Sequence, residues 1–524
     1  MVSMASGSAT RKIAKGARSV TIAVFLSRIL GLVREQVLAG LFGAGFQMDA
    51  YVVAYRIPNL LRDLLAEGAL ASAFVTVFSH YKEKKGISAT WKLAQNALGA
   101  ILVLVLGIVT LGEFLAPYLV KILAPGFSSP EKWKLATTLT RLMFPFLACA
   151  SISALLAGML NTFRVFFLPA VSSALFNLVS VSTGVLLYFW FVKTGIPPIT
   201  GMAIGVVLGG LAQIGLQVPA LKKRGFNFRP VFSLKDPGVR EIFRLMFPMV
   251  IGLSAVQLSV FINTFFASFC GEGALSWLSY AFRIMYVPLG LFGVALSIAV
   301  LPVASSQVAR GELEALRRTY ISSLLMALTL ALPSAVGLIT FSGPIVKLIF
   351  ERGRFGPQDT INTSLALAFF ALALPAYAST KVSTPLFYAL KKPKIPMVSS
   401  FLSVSINLLV VLSTIKMLSF RAIALGTSIG IFAQAGFQIA FLSSLIGNLC
   451  WKEFLSGAAR LLGASLLMGL PAYFSKNWVF KMVGFKLAVA TLGVITLCGG
   501  LYFALVAFFG PREGLYLFRS FRRQ

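Results

Sequence analysis

Long apolar stretches alternate with short polar connections along almost the whole chain. A helix needs roughly 20 apolar residues to cross the hydrocarbon core of a membrane, and backbone groups in lipid must form their hydrogen bonds within the element. The period-2 alternation of strands is absent. We therefore predict an all-α, polytopic membrane protein with about fourteen transmembrane helices. The predicted spans cover residues 19–43, 49–79, 92–123, 133–161, 167–192, 199–221, 241–269, 275–307, 319–349, 359–390, 395–416, 421–446, 455–474 and 486–510.

An internal repeat runs through the chain at a constant offset of about 227 residues. Three pairs of similar segments lie at this offset: Ala54–Ile57 with Ala281–Ile284, Pro117 with Pro344, and Pro169–Ser173 with Pro396–Ser400. About six spans, an even number, separate equivalent points, so the two copies have the same orientation in the membrane. Parallel repeats of this kind are typical of carriers that hold their substrate between two lobes, although duplication without transport is the alternative.

The repeat divides the chain into predicted domains. Residues 19–223 form an N-lobe of about six helices and residues 224–446 a C-lobe of about six, related by a pseudo-two-fold axis. Residues 447–524 hold two further helices outside both copies and a basic cytoplasmic C-terminus. Residues 1–18 form a basic cytoplasmic segment, which we interpret as retained because charged residues soon interrupt the apolar run that follows.

Basic residues in the connections predict the orientation, because cytoplasmic loops carry an excess of Lys and Arg. The strongest basic runs all fall on one side of the predicted membrane: Lys82, Lys84 and Lys85; Lys222, Lys223 and Arg224; Lys391, Lys392 and Lys394. Cytoplasmic segments hold about 26 Lys and Arg and periplasmic loops about 12, and the exceptions to the pattern are Arg352, Arg354, Lys476 and Lys481. An even number of spans then places both termini in the cytoplasm.

Composition agrees with a chain that lies mostly in lipid. Of 524 residues, 58% are hydrophobic and 12% are charged, whereas globular domains carry roughly a quarter charged residues. The 47 Lys and Arg against 16 Asp and Glu give a net charge of +31. These basic residues lie largely in short loops, which favours anionic lipid over nucleic acid. The widely spaced cysteines and the single histidine form no metal-ligand or disulfide pattern. We expect no metal and no cofactor.

Nine basic residues fall inside the predicted spans: Arg28, Arg34, Arg56, Arg62, Arg141, Arg244, Arg283, Lys381 and Arg460. A charge at the bilayer centre costs several kcal/mol, so such side chains face a wet cavity, form ion pairs or extend to the interface. Arg141, Arg244 and Arg460 lie near span ends, where they can extend to the interface. The first four crowd into two spans, which predicts a hydrated cavity.

The spacing of these arginines predicts a shared face. Arg28 and Arg34 are six residues apart and thus roughly 120° apart around a helix. Arg56 and Arg62 have the same spacing, and the repeat places Arg283 in the second lobe at the position of Arg56. The neighbouring acids are Glu35, Asp49, Asp63 and Glu67. Structural ion pairing is the alternative, but surplus arginine predicts a phosphate-bearing substrate, since guanidinium binds phosphate in bidentate fashion.

The segments SRILGLVREQVLAGLFGAG (27–45) and MDAYVVAYRIPNLLRDLLAEGALASAFV (48–75) resemble the MurJ (MviN) family. Further matches are AFRIMYVPLGLFGVALSIAVLPVAS (281–305) and FERGRF (350–355), so the resemblance covers essentially the whole chain. It implies the fold of the multidrug/oligosaccharidyl-lipid/polysaccharide exporter superfamily, with two six-helix lobes and two extra C-terminal helices. The implied activity is flipping of lipid II, the undecaprenyl-pyrophosphate-linked peptidoglycan precursor, from the inner to the outer leaflet of the bacterial cytoplasmic membrane.

The resemblance also implies roles for individual residues. The family's functional arginines correspond to Arg28, Arg34, Arg62 and Arg283, which would hold the pyrophosphate. Its acidic residues correspond to Glu35, which stands where aspartate is common, and Asp49. Supporting cavity charges would be Arg56, Glu35, Asp49 and Glu67. The last two spans would form a groove for the lipid tail at Gly463 and Gly469, for which ordinary helix packing is an equal alternative.

The energy source and the rival functions stay open at the level of sequence. No Walker A motif is present, so membrane potential or a coupling cation would drive transport. Asn263, Asn407 and Thr380 are compatible with an ion site and equally with helix packing. A cationic-drug antiporter would need cavity carboxylates, whereas a flippase for another polyprenyl-linked oligosaccharide would share this chemistry. A membrane enzyme acting on polyprenyl phosphate would need metal-binding carboxylates or a histidine base.

Overall fold

The structure, a computed structural model, describes residues 23–511 except Leu234, Asn448 and Cys450. Within this range the side chains of Glu67, residues 291–295 and Ile298 are not described. The predicted basic segment 1–18 and the basic C-terminus therefore lie outside the described residues. Every regular element in the described ranges is helical, which confirms the all-α prediction.

The chain divides into two compact units, the first of which ends at Glu272. Its described helices are α1 (23–42), α2 (Phe46–Leu61), a π-helical segment (Arg62–Leu70), α3 (Ala71–Lys84), α4 (Gly86–Leu123), α5 (Pro130–Met143), α6 (Pro145–Thr162), α7 (Phe167–Thr194), α8 (Ile199–Lys222) and α9 (Pro237–Ala267). Helix α9 packs on the π-helical segment, α3 and α4. The predicted C-lobe would include α9, and this assignment stays a prediction.

The second unit begins at Gly273. Its helices are α10 (Ala274–Ala309), α11 (Leu313–Thr340), α12 (Ser342–Phe350), α13 (Pro357–Ala371), α14 (Leu374–Ala389), α15 (Lys394–Leu418), α16 (Phe420–Ile446), α17 (Trp451–Phe480) and α18 (Gly484–Phe509). The last two helices lie outside the sequence repeat. These two helices pack on the second unit: α17 contacts α11 and α12, and α18 contacts α12 and α17.

Helix limits follow local backbone chemistry. The Ser129 side chain accepts from the Lys132 amide at the start of α5, and Asp236 accepts from two amides at the start of α9. Each of these caps is followed by proline at the first helical position, where the missing N–H costs nothing. Gly195, at φ +74°, ends α7. This is the left-handed conformation that glycine adopts without strain.

Ten helices in the described residues are long and apolar enough to cross a membrane, or eleven when α13 and α14 count as one span bent by 42°. Helix also covers the remaining predicted spans, at 23–42, 46–84 and Ala274–Ala309. The polytopic fold is therefore confirmed, while the count of fourteen stays a prediction.

Close helix crossings recur in one helix pair of each unit, α7 with α8 and α15 with α16. A Cβ on Gly205 of α8 would overlap the carbonyl oxygen of Ser180 on α7, and a Cβ on Gly430 of α16 would overlap that of Ser403 on α15. Only glycine permits backbones to approach so closely. Each unit thus packs one helix pair in the same way, as expected from a duplicated chain.

Candidate substrate site

The π-helical segment Arg62–Leu70 carries Arg62, Asp63 and Glu67 inside a predicted span. Pro58, inside α2, has no N–H for the helical ladder, and the wider turns begin four residues later. A Cβ on Gly68 would lie 2.3 Å from Cδ1 of Leu253 on α9 and 2.7 Å from the carbonyl oxygen of Asp63, so a larger residue would force a shift where α9 crosses this segment. Single π-turns often mark functional sites in helices.

Arg34 of α1 is buried, with 8% of its surface exposed. Its Nη2 donates to Oε1 of the neighbouring Glu35 at 3.0 Å. The guanidinium carbon lies 5.8 Å from the ring centroids of both Tyr55 and Phe176, so α2 and α7 hold it between two aromatic faces. Its Nε has no hydrogen-bond acceptor in the described part of the chain, so one buried donor of this guanidinium is unsatisfied there.

Arg62 and Arg56 have different partners. Arg62 donates from Nε and Nη2 to Oδ1 of the adjacent Asp63, at 3.2 and 2.8 Å. Its guanidinium also lies 5.8 Å from the centroid of Phe146 on α6. Arg56 donates from Nη1 to the hydroxyl of Thr264 on α9 at 2.5 Å. Arg56 therefore has a neutral partner and Arg62 a charged one.

The hydrogen bond that the structure assigns to Asp49 comes from Lys132 and not from an arginine of α1. Its Oδ2 accepts from Nζ of Lys132 on α5 at 2.9 Å, and both side chains are buried, with 1% and 9% of their surfaces exposed. Sequence reasoning did not single out Lys132. The repeat pointed to this position, because its offset relates Pro130 and Lys132 of the first copy to Pro357 and Asp359, also a proline and a charged residue, of the second.

Arg28 lies on the exposed side of α1, and it has no hydrogen-bond or ion-pair partner among the described residues. An adjacent side of this helix packs on α7, where the Asn177 amide donates to the carbonyl oxygen of Ser27 at 3.3 Å. Arg34 is turned into the helix bundle by the roughly 120° that separates the two positions. Arg28 and Arg34, which the spacing predicts to share one face, therefore differ in exposure: Arg28 is exposed and Arg34 is buried.

Arg283 belongs to the second unit and is exposed on α10 between the buried Ala281 and Ile284. Its meeting with the arginines of the first unit in one cavity stays a prediction. The side chain of Glu67, a predicted supporting charge, lies outside the described residues.

Comparison with known proteins identifies the family to which these residues belong. The family model for the lipid II flippase MurJ matches residues 38–490. A probable lipid II flippase MurJ of Rickettsia prowazekii is 31% identical over 499 residues, which cover 88% of this chain and 96% of the relative. The chain belongs to the MurJ family.

Solved structures agree with this assignment. A lipid II flippase MurJ in an inward closed conformation superposes with a TM-score of 0.79 at 26% identity, covering 94% of this chain and 98% of the other. An inward-facing multidrug resistance MATE transporter of the MOP superfamily has a TM-score of 0.66 at 15% identity, covering 80% and 94%. The second likeness shows the fold alone. As a MurJ-family member the protein is a transporter rather than an enzyme.

The two glycines of the predicted MurJ-type tail groove have different surroundings on α17. A Cβ on Gly469 would lie 2.6 Å from Cγ1 of Val336 and 3.7 Å from Cγ2 of Thr340, both on α11. A Cβ on Gly463 would meet nothing within 4 Å. Gly469 thus lies at a helix contact, as the packing alternative expects, while Gly463 borders open space. The groove itself stays a prediction.

Proposed function

We propose that this protein flips lipid II from the inner to the outer leaflet of the bacterial cytoplasmic membrane. Family membership and the MurJ-like fold support the substrate and the transport activity. Many apolar helices support a multi-pass location in the inner membrane. The protein needs no catalytic group for this task, because no covalent bond changes when the headgroup crosses the bilayer.

The surplus of arginine over carboxylate in α1, α2 and the π-helical segment is the observation that carries the proposal. Four arginines lie there, and Lys132 already neutralises Asp49. Among described side chains, Glu35 and Asp63 bind Arg34 and Arg62, and Asp49, although bonded to Lys132, also attracts Arg56 electrostatically. Local ion pairing accounts for Arg34 and Arg62 and leaves Arg28 and Arg56 without a described carboxylate in hydrogen-bond contact. A pyrophosphate would supply the missing negative charge.

The repeat supports the participation of both units in this site. Arg283 stands at the offset that relates it to Arg56, so alternating access would bring basic groups from both repeats to the substrate. The proposed pyrophosphate ligands are Arg28, Arg34, Arg62 and Arg283, supported by Arg56, Glu35, Asp49 and Glu67. The undecaprenyl tail would stay in an apolar setting. The open space at Gly463 supports a groove for the tail at that position of α17.

The direction of transport and its energy source complete the proposal. The basic loops place both termini in the cytoplasm, so the headgroup would enter from the side of Lys82 and Lys222. Rocking of the two repeats would then release it on the periplasmic side. A coupling cation or the membrane potential would drive the return step, with Asn263, Asn407 and Thr380 as the candidate ion ligands.

Reconstitution tests the function directly. The purified chain in vesicles should move lipid II to the leaflet where an added enzyme or probe can reach it, and empty vesicles should not. Undecaprenyl-pyrophosphate carrying an unrelated oligosaccharide serves as the competing substrate. Vesicles that translocate the unrelated lipid at the same rate would contradict selectivity for lipid II, and failure with both lipids would contradict the flippase proposal.

A further inference from the structure

A pocket of about 710 Å³ lies at one end of the first unit, away from the arginines of α1 and α2. It is bounded by the first turns of α4 and by the connection between α8 and α9. The connection is held to α4 by two hydrogen bonds, from the Gln95 side chain to the Asn227 carbonyl at 3.0 Å and from the Val231 amide to the Gln95 carbonyl at 3.2 Å. The pocket is thus built by packed elements.

The pocket is lined by hydrogen-bond donors and by positive charge. Lys92 and Arg224 line it, and both side chains are exposed. One Arg224 nitrogen donates to the Ala220 carbonyl at 2.8 Å. The other donors of its guanidinium stay available, because the group carries five N–H bonds. Trp91, also in the lining, adds the donor of its indole N–H. Three donor groups therefore converge on one space.

The carboxylate of Asp236 contacts Asn96 of the lining without lining the pocket itself. Both Asp236 oxygens are occupied, because Oδ2 accepts from Asn96 at 2.7 Å and Oδ1 accepts from the amides of Gly238 and Val239 at the start of α9. The described lining of the pocket contains no acidic residue. An anion is therefore the ligand that matches these groups.

Exposed apolar side chains beside the charges indicate that this anion belongs to a lipid. Ile87 and Val231 line the pocket with 50% and 46% of their surfaces exposed, and Phe232 is 55% exposed next to them. The Trp91 ring stacks on Phe163 at 5.1 Å, forming the aromatic anchor that is typical of a membrane interface. A free anion would leave this apolar rim without a partner, whereas acyl chains would cover it.

We propose that this pocket binds the anionic headgroup of a membrane phospholipid, with Lys92 and Arg224 bonding the phosphate and Ile87, Val231 and Phe232 contacting the acyl chains. Basic pockets between transmembrane helices on the cytoplasmic side are known to select anionic lipid. The site is separate from the proposed lipid II site and does not depend on the transport proposal.

Native mass spectrometry of the full chain, titrated in detergent with phosphatidylglycerol or phosphatidylethanolamine, tests the proposal. We expect the wild-type chain to bind phosphatidylglycerol more tightly, and K92Q/R224Q to weaken that binding about tenfold. The charge-preserving variant K92R/R224K should bind like the wild type. Equal binding of both lipids, or unchanged binding by K92Q/R224Q, would overturn the proposal.

The matched control is K222Q/K223Q, which removes two exposed charges from the same end of the molecule without altering the lining. It should stay within about twofold of the wild type, because neither lysine lines the pocket. An equal loss of phosphatidylglycerol binding in both double variants would show that the charged surface in general, and not the pocket, attracts the lipid. Millimolar inorganic phosphate should not displace the lipid, and displacement would assign the site to free phosphate.

Discussion

The two units place a polar contact at the same point of the repeat and form it from different groups. In the first unit Lys132, the third residue of α5, donates to Asp49 of α2 at 2.9 Å. In the second unit Asp359, the third residue of α13, accepts from the indole N–H of Trp277 on α10, also at 2.9 Å. Lys132 and Asp359 are separated by the repeat offset, yet their charges are opposite.

This difference shows that the repeat preserves where helices are joined and not the chemistry that joins them. A buried ion pair depends strongly on both partners, because the survivor of a deletion stays charged in a low-dielectric setting. The contact in the second unit depends less on its donor. The Trp277 indole is neutral, and Asp359 also accepts a hydrogen bond from the Gly356 amide at 3.2 Å. The first unit is therefore the one more sensitive to loss of a single charge.

Removing the lysine of the first contact should have the largest effect. K132A leaves Asp49 buried without its ammonium partner, and we expect a loss of about 3–5 kcal/mol in the free energy of unfolding. Thermal or denaturant unfolding of the detergent-solubilised chain measures it. K134A, two residues away and exposed, is the control and should change little. Equal stability of K132A and K134A would contradict the structural role of the pair.

Arg28 tests whether an arginine of the first unit acts on the substrate and not on the stability of the fold. R28A should lower lipid II translocation about ten- to a hundredfold, the value of a charged hydrogen bond. Its stability should change little, since the Arg28 side chain is exposed. The measurement is the vesicle assay together with an unfolding curve. R28K should keep part of the rate, and the solvent-exposed R310A should keep all of it. Wild-type translocation by R28A would remove Arg28 from the proposed site.

The helices that only the second unit possesses give a third test. G469L would force a side chain against Val336, and this overpacking should cost about 1–3 kcal/mol of stability. G463L enters open space and should leave the unfolding curve unchanged. If the tail groove includes Gly463, G463L should slow translocation all the same. A stable and fully active G463L would argue against a tail groove at that position.

Removing the indole donor of the second contact should have the smallest effect. W277F keeps an aromatic ring beside Phe420 but loses the bond to Asp359. We expect a loss of about 0.5–1.5 kcal/mol in the free energy of unfolding, the net value of one hydrogen bond. The same unfolding measurement on W451F, whose ring packs on Phe454, controls for the change in ring size. A loss as large as that of K132A would show that the two contacts are equivalent after all.

Much of the fold was predictable from sequence because lipid leaves few choices. The apolar stretches from Gly86 to Lys222 and from Leu313 to Phe509 are helical in the described residues, as their length and composition require. The π-helical turns after Pro58 were not predictable, since proline is compatible with a simple kink. The position of α9 depends on packing at Gly68, which no local pattern reports.

The candidate site was predictable as a set of residue types and not as a set of contacts. The sequence alone placed Arg28, Arg34, Arg56 and Arg62 in membrane helices, because each interrupts an apolar run. It did not separate the buried Arg34 from the exposed Arg28, because that depends on which side of α1 meets Tyr55 and Phe176.

The sequence by itself determined the helices, the duplication and the excess of basic residues in the first spans, since hydrophobic length, repeated segments and charge are properties of the chain. The tertiary structure decided which charges are neutralised. Asp49 and Lys132 are 83 residues apart, and Arg56 and Thr264 are 208 apart. Coulomb and hydrogen-bond energies depend on distances of a few ångströms, and only the packing of whole helices sets those distances.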